Sequence, residues 1–95
     1  MAVFFLVEIE KILDASMYAK YREAVAPIVE KHGGEYIVRS DKLKPFAGPW
    51  QAKRVIMIRF DNMDRLRECF TSDEYKRIAH LRGNSTVSKS LIIEG

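Results

Sequence analysis

Residues 35–60 read EYIVRSDKLKPFAGPWQAKRVIMIRF and contain two apolar runs separated by a polar segment. The runs 35–40 and 53–60 are rich in β-branched and aromatic side chains, which predicts two strands. The segment 41–52 between them holds two prolines and a glycine, which predicts a loop of about a dozen residues. Loops of this length in small proteins are often functional. Two strands therefore follow one another in mid-chain without a helix between them.

A helix and an outer strand are predicted on each side of this pair. Residues 2–9 (AVFFLVEI) and 87–94 (VSKSLIIE) have strand composition. Asp14 predicts the start of a first helix, because its carboxylate can accept from free backbone N–H groups of the first turn. Apolar side chains then recur at helical spacing as far as Gly33-Gly34, which predicts the end of that helix.

The second helical region is predicted in two parts. It begins at Asp61-Asn62, restarts at the capping-box sequence of residues 71–74 (TSDE), and is expected to end at Gly83-Asn84. Pro27 predicts a kink or the loss of one hydrogen bond in the first helix, because proline has no N–H. Arg54 shares the alternation of the apolar face of the third strand, but as its first residue it is expected to lie outside the core.

The element order β-α-β-β-α-β predicts one α+β domain over residues 1–95. Right-handed crossovers place both helices on one face of a four-stranded antiparallel sheet, the ferredoxin-like arrangement. Strand alternation leaves apolar side chains on the other face: Phe4, Leu6, Val55 and Met57. An open apolar sheet face usually has a partner, and the simplest is a second copy of the chain in a symmetric homodimer.

Composition and charge exclude several classes of function. The 95 residues are 47% hydrophobic and 31% charged, as in folded proteins, and the net charge of +3 is too small to indicate nucleic-acid binding. RNA-recognition domains share the element order, but their third strand exposes stacking aromatics, whereas here its only aromatic residue is Phe60. We therefore expect no nucleic-acid partner.

The same considerations predict a cytoplasmic protein without a membrane partner. No apolar run approaches the roughly 20 residues of a membrane span, and no signal-peptide pattern is present. The single cysteine, Cys69, excludes an internal disulfide and is expected to be a small buried hydrophobe. His32 and His80 are too far apart in sequence for a usual metal motif, so we predict no metal and no cofactor.

Several short motifs, in their order and spacing, resemble domain-of-unknown-function family 1330. They are Tyr18-x-x-Tyr21, Val25-x-Pro27, Gly33-Gly34-x-Tyr36, Gly48-x-Trp50, Ser72-x-x-Tyr75, Arg82 and Ile93-Glu94-Gly95. The resemblance covers nearly the whole chain and implies a ferredoxin-like subunit of a dimeric α+β barrel. It implies no particular reaction. Relatives usually carry a carboxylate just before the terminal Phe of the third strand, where this chain has Arg59, and Ser40-Asp41 replaces an expected glycine.

The candidate ligand-binding residues are mostly arginines, whose planar fork of donors suits carboxylate or phosphate. Arg59 is the first candidate, although pairing with Glu8 across the sheet or solvation at the strand end is the more usual explanation of a charge near a strand end. Arg39 on the second strand and Arg82 after the short helix would complete an anion site. Two aromatic side chains are further candidates, each with packing as the alternative: Trp50 in the long loop and Tyr75 after the capping box. Tyr18 and Tyr21 are interpreted as core residues.

These residues predict a small-molecule site at the sheet face, bounded by the helices and loop 41–52, for an anionic or polar-aromatic ligand. A first alternative is a cofactor-independent oxygenase or isomerase, in which Arg59 or Arg39 stabilises an enolate and His80 is the base. His80 is the candidate catalytic residue, although no nearby acid orients it and a surface position explains it as well. A second alternative is a purely structural or regulatory dimer without a ligand. Whether the protein is an enzyme stays open at this point.

Overall fold

The computed structural model describes residues 1–95 and contains four strands and three helices in the order β-α-β-β-α-α-β. The elements are β1 (Val3–Ile12), α1 (Ala15–Lys31), β2 (Glu35–Ser40), β3 (Arg54–Phe60), α2 (Met63–Thr71), α3 (Asp73–Ser85) and β4 (Thr86–Glu94). The strands form one antiparallel sheet in the order β2-β3-β1-β4. The ferredoxin-like fold is therefore confirmed, with the second helical region divided into α2 and α3.

Side-chain caps begin each helix where the sequence predicts. Asp14 accepts a hydrogen bond from the Met17 N–H at 3.0 Å, and Asn62 accepts from the Arg65 N–H at 2.9 Å. Ser72 ends α2 and caps α3, since its hydroxyl accepts from the Tyr75 N–H at 3.2 Å. Each cap satisfies one of the backbone donors that a helix leaves free in its first turn.

The predicted end of α3 at Gly83-Asn84 is wrong, because the helix continues to Ser85. Its last carbonyls are satisfied by side chains instead of by a left-handed glycine. The Ser85 hydroxyl donates to the Leu81 carbonyl, and the Thr86 hydroxyl donates to the Arg82 carbonyl at 2.8 Å. These bonds let the chain pass from α3 into β4 without an intervening loop.

The core lies between the helices and one face of the sheet. Val3, Val7 and Ile9 of β1 pack there with Ile58 and Phe60 of β3. Helices contribute Val29, Leu66 and Cys69, and the predicted burial of Cys69 is confirmed, since it is fully buried. The chain enters β2 through Gly34, where a Cβ would lie 2.5 Å from the Val29 Cγ1. Only glycine allows this close approach of the α1–β2 turn to the core.

The opposite face of the sheet carries no helix and is largely apolar. In the β1–β4 register, Leu6 lies opposite Leu91 and Phe4 lies opposite Ile93. Met57 of β3 lies opposite Leu6 and Val38 on its two neighbours, which extends the apolar surface across all four strands. We call the surface formed by these residues and Val55 the open face. None of the three helices has the length and hydropathy needed to cross a membrane.

Candidate functional site

A cavity of about 320 Å³ lies between the sheet and the helices, on the face that carries the core. Phe5, Val7, Ile56 and Ile58 form its apolar floor on the two central strands. The edge strand β2 and helices α1, α2 and α3 contribute to the rest of the wall, with Phe70 of α2 stacked on Phe5 at 4.4 Å between ring centroids. A volume above 300 Å³ with a mostly apolar lining is typical of small-molecule sites.

Four arginines line this apolar cavity: Arg22, Arg39, Arg54 and Arg82. None of them lies within ion-pair distance of a carboxylate, and no Asp or Glu is among the lining residues. Elsewhere in the chain, arginines do have acidic partners, as Arg59 has in Asp61. The cavity therefore concentrates positive charge that the protein itself does not neutralise.

Arg54 is the most constrained of these cations. It is half-buried, and its Nε is the one buried side-chain nitrogen or oxygen in the chain without a hydrogen-bond partner. The Lys53 N–H donates to the Ile9 carbonyl at 2.7 Å, which holds the start of β3 against β1. Arg54 lies outside the core cluster, as expected, but at the cavity, because α1 brings Tyr18 beside the start of β3.

Two of the four arginines are held by aromatic rings instead of by carboxylates. The Arg39 guanidinium lies over the Tyr36 ring at 4.3 Å from its centroid, and that of Arg22 lies over Tyr18 at 5.6 Å. The negative face of an aromatic ring attracts a cation without neutralising it. These guanidiniums are therefore held at the cavity with their hydrogen-bond donors still free to bind a ligand.

The tyrosines of the cavity stay protonated at neutral pH. Burial raises the pKa of Tyr36 to about 12, and it raises that of Tyr18 despite the nearby Arg54 guanidinium. The pKa of Tyr21 is raised most, by burial and by Tyr75, whose hydroxyl lies 3.1 Å from its own. Protonated phenols can donate hydrogen bonds, so the tyrosines and the arginines together favour an acceptor-rich, negatively charged ligand.

The structure brings only two of the five predicted ligand-binding residues, Arg39 and Arg82, to the cavity. Arg59 projects from the open face, where it donates to Asp61 at 2.9 Å rather than pairing with Glu8. Glu8 instead lies 3.6 Å from Lys89. The difference between Arg39 and Arg59 follows from strand alternation, which places them on opposite faces of the sheet.

The other two predicted ligand-binding residues, Trp50 and Tyr75, and the candidate catalytic residue, His80, also lie apart from the cavity lining. Trp50 is 61% exposed and borders a second, separate cavity of about 290 Å³, which is lined by residues of loop 41–52 and by Val55. Tyr75 is buried behind the lining against Tyr21 and Phe70. His80 is exposed on α3. Residues 1–95 contain no group of three His, Cys, Asp or Glu side chains that could hold a metal ion.

Sequence reasoning missed five residues that line the cavity: Arg22, Arg54, Tyr18, Tyr21 and Tyr36. Arg54 shares its face with Ile56 and Ile58 by alternation, so the pattern did contain the signal. Arg22 follows Tyr18 by four residues and so lies on the same side of α1. Tyr18 and Tyr21 were interpreted as core, and both are indeed buried, but both also line the cavity.

Comparison with known proteins agrees with this fold. The family described as "Domain of unknown function (DUF1330)" matches residues 2–95, so the chain belongs to that family and the predicted resemblance is confirmed. No curated protein matches the chain. A Rhodopseudomonas palustris protein of unknown function is similar with a TM-score of 0.81 and 16% identity, over 99% of this chain and 82% of that one.

Two further solved structures are similar over almost the full length. A dimeric protein of unknown function and ferredoxin-like fold from Bacteroides fragilis has a TM-score of 0.64 and 16% identity, covering 99% of this chain and 96% of that one. A cofactor-independent oxygenase from Streptomyces nogalater has a TM-score of 0.67 and 10% identity, covering 99% of this chain and 92% of that one. At these identities, the likeness shows the fold alone.

Proposed function

We propose that the protein binds a small anionic or polar-aromatic molecule in the cavity between its sheet and helices. The observation that carries this proposal is the set of four arginines without acidic partners around an apolar cavity of about 320 Å³. Guanidiniums close to one another and partly removed from water repel, so the arrangement costs folding energy. A bound anion would offset that repulsion, which is why such clusters mark candidate binding sites.

The experiment that tests this proposal is a titration with 2-naphthoate, an aromatic anion, followed by ¹H–¹⁵N correlation spectra. We expect saturable shifts at residues of the cavity floor, such as Phe5 and Ile56, and none at Leu91 on the open face. Arg82→Gln should weaken binding by about tenfold, which is the size expected for one charged hydrogen-bonding partner. Arg59→Gln removes the same charge from the other face and should leave binding unchanged. Absence of saturable shifts at the cavity would contradict the proposal.

We further propose that the open face pairs with a second copy of the chain. Leu91 is 53% exposed and Val38 and Ile93 are each 38% exposed, which leaves a continuous apolar surface in water. Such a surface suits a twofold symmetric interface, in which each chain contributes the same residues. The Bacteroides fragilis protein of the same fold, described as dimeric, supports this arrangement.

A cofactor-independent oxygenase or isomerase is the second candidate, supported by the similar fold of the Streptomyces nogalater oxygenase. The cavity arginines would stabilise a developing enolate as well as they would bind a carboxylate. The candidate base, His80, is exposed and not part of the cavity lining, and the cavity tyrosines hold their protons at neutral pH. The described geometry therefore supports binding more directly than it supports proton abstraction.

A further inference from the structure

Three of the four cavity arginines lie toward one end of the cavity, which we call the charged end, and the Phe5–Phe70 stack lies toward the other, the apolar end. The fourth, Arg39, lies along the side, opposite Ile56 and over the Tyr36 ring. The sheet register gives the order of the two ends. Arg54 lies opposite Ile9, whereas Ile58, four residues further along β3, lies opposite Phe5. Four residues of a strand span about 13 Å. The positive charges of Arg54, Arg22 and Arg82 each act to lower the pKa of Tyr18, so these three side chains lie near Tyr18 at the charged end. The Phe5–Phe70 stack marks the apolar end.

The free donor of Arg54 indicates how the charged end binds a ligand. A guanidinium presents Nε–H and one Nη–H side by side, and a carboxylate accepts both with its two oxygens. The Nε of Arg54 is buried and has no partner within the chain. An unpaired buried donor costs folding stability, and a carboxylate would satisfy it once a shift of the Arg54 side chain turns this edge of the guanidinium toward the cavity.

From this geometry we infer that the ligand is an aromatic monocarboxylate. Its carboxylate binds side-on to Arg54, and its ring lies along β3 over Ile56 and Ile58 toward Phe5. This inference rests on the proposed function and deepens it, since it selects one anion and one orientation. The five aromatic side chains of the lining suit a ring, which packs edge-to-face or offset against them: they are Phe5, Tyr18, Tyr21, Tyr36 and Phe70.

The test compares three probes with the same ring: 2-naphthoate, the neutral 2-naphthamide and 2-naphthyl phosphate. Isothermal titration calorimetry should show 2-naphthoate binding at least tenfold more tightly than 2-naphthamide and more tightly than the phosphate. Arginine ¹H–¹⁵Nε spectra provide a direct readout at the inferred atom. The Arg54 Nε–H signal should shift downfield with 2-naphthoate and stay in place with 2-naphthamide.

Arg54→Lys keeps the charge but removes the planar pair of donors, and it should weaken 2-naphthoate binding at least tenfold. Arg59→Lys, the same change on the other face of β3, should have no effect. The spectra of the wild-type protein keep the inference testable even where Arg54→Lys fails to fold. Equal binding of the carboxylate and the amide, or tighter binding of the phosphate, would overturn the inference while leaving the proposed function standing. If no probe affects the cavity residues, the proposed function itself fails.

Discussion

Arg54 and Arg59 lie on the same strand, five residues apart, and meet opposite environments. Arg59 projects from the open face and has an acidic partner in Asp61 at 2.9 Å. Arg54 projects toward the helices, is half-buried and has no acidic partner. The comparison contrasts the two faces of the sheet: one encloses a positively charged cavity, and the other is an uncovered apolar surface, which we propose pairs with a second chain.

The helix-covered face depends on the close packing of the α1–β2 turn, and breaking that packing should have the largest effect. Gly34→Ala would place a Cβ 2.5 Å from the Val29 Cγ1 and 2.9 Å from the Phe60 ring. Because both neighbours are fully buried, we expect a loss of about 2–3 kcal/mol in the free energy of unfolding, measured by urea denaturation. Gly83→Ala is the control, since nothing lies within 4 Å of its Cβ position and it should be neutral or slightly stabilising. Equal losses for both variants would contradict the packing described here.

The open face is tested by Leu91→Glu, which places a charge opposite Leu6 in the apolar surface. A twofold interface contains each substitution twice, so we expect the dissociation constant of the dimer to rise about 100-fold or more. Sedimentation equilibrium measures this change. The adjacent Ile92→Glu changes a side chain of similar exposure on the opposite side of β4 and should leave the dimer intact. If Ile92→Glu dissociates the dimer and Leu91→Glu does not, the interface lies on the other face of the sheet and the proposed interface is wrong.

Burial of ionisable groups on the helix-covered face makes stability fall in alkali. Burial raises the pKa of the Cys69 thiol to about 11 from an ordinary value of 9.0. Between these values the unfolded thiol loses its proton while the folded thiol keeps it, so unfolding is favoured as pH rises. The effect amounts to about 2–3 kcal/mol and is absent below about pH 9. Urea denaturation from pH 8 to 11 should show a shallower decline for Cys69→Ala than for the wild type, and an unchanged slope would contradict this cause.

The smallest effect, and the sharpest form of the comparison, comes from replacing each arginine of β3 by methionine. Arg54→Met removes an unpaired buried donor and fills the space with an apolar chain, so it should raise the free energy of unfolding by about 1 kcal/mol. The same variant should no longer bind 2-naphthoate. Arg59→Met removes a surface ion pair and should change stability by less than about 0.5 kcal/mol, with binding retained. Thermal unfolding with and without 2-naphthoate measures both the stability and the binding of each variant. If Arg54→Met lowers the free energy of unfolding, the unpaired Arg54 does not destabilise the folded protein and this explanation is wrong.

Local chemistry explains which features could be predicted from the sequence. Strand composition, the caps Asp14 and Ser72 and the alternation of β1 predicted the element order and the fold, because each depends on neighbouring residues. The end of α3 could not be placed, because Thr86 satisfies an α3 carbonyl from the first position of β4.

The site was harder to predict because it depends on contacts between distant segments. Arg54 is 36 positions from Tyr18 in the sequence, and only the packing of α1 over the sheet brings them together. Arg59, just before Phe60, was the first candidate ligand-binding residue, but the alternation of side chains along β3 places it on the face opposite the cavity. The alternation of side chains along β3 places Arg54 on the same face as Ile56 and Ile58, and therefore favours Arg54 over Arg59 as a cavity residue.

Native mass spectrometry of the protein titrated with 2-naphthoate reports on both faces of the sheet in one spectrum. We expect a species of about 22 kDa, twice the 11.0 kDa of one chain, that takes up one probe per subunit and saturates at two. The Arg54→Lys variant should remain dimeric and bind little probe. A monomer, or a dimer to which 2-naphthoate adds no more in the wild type than in Arg54→Lys, would contradict the account.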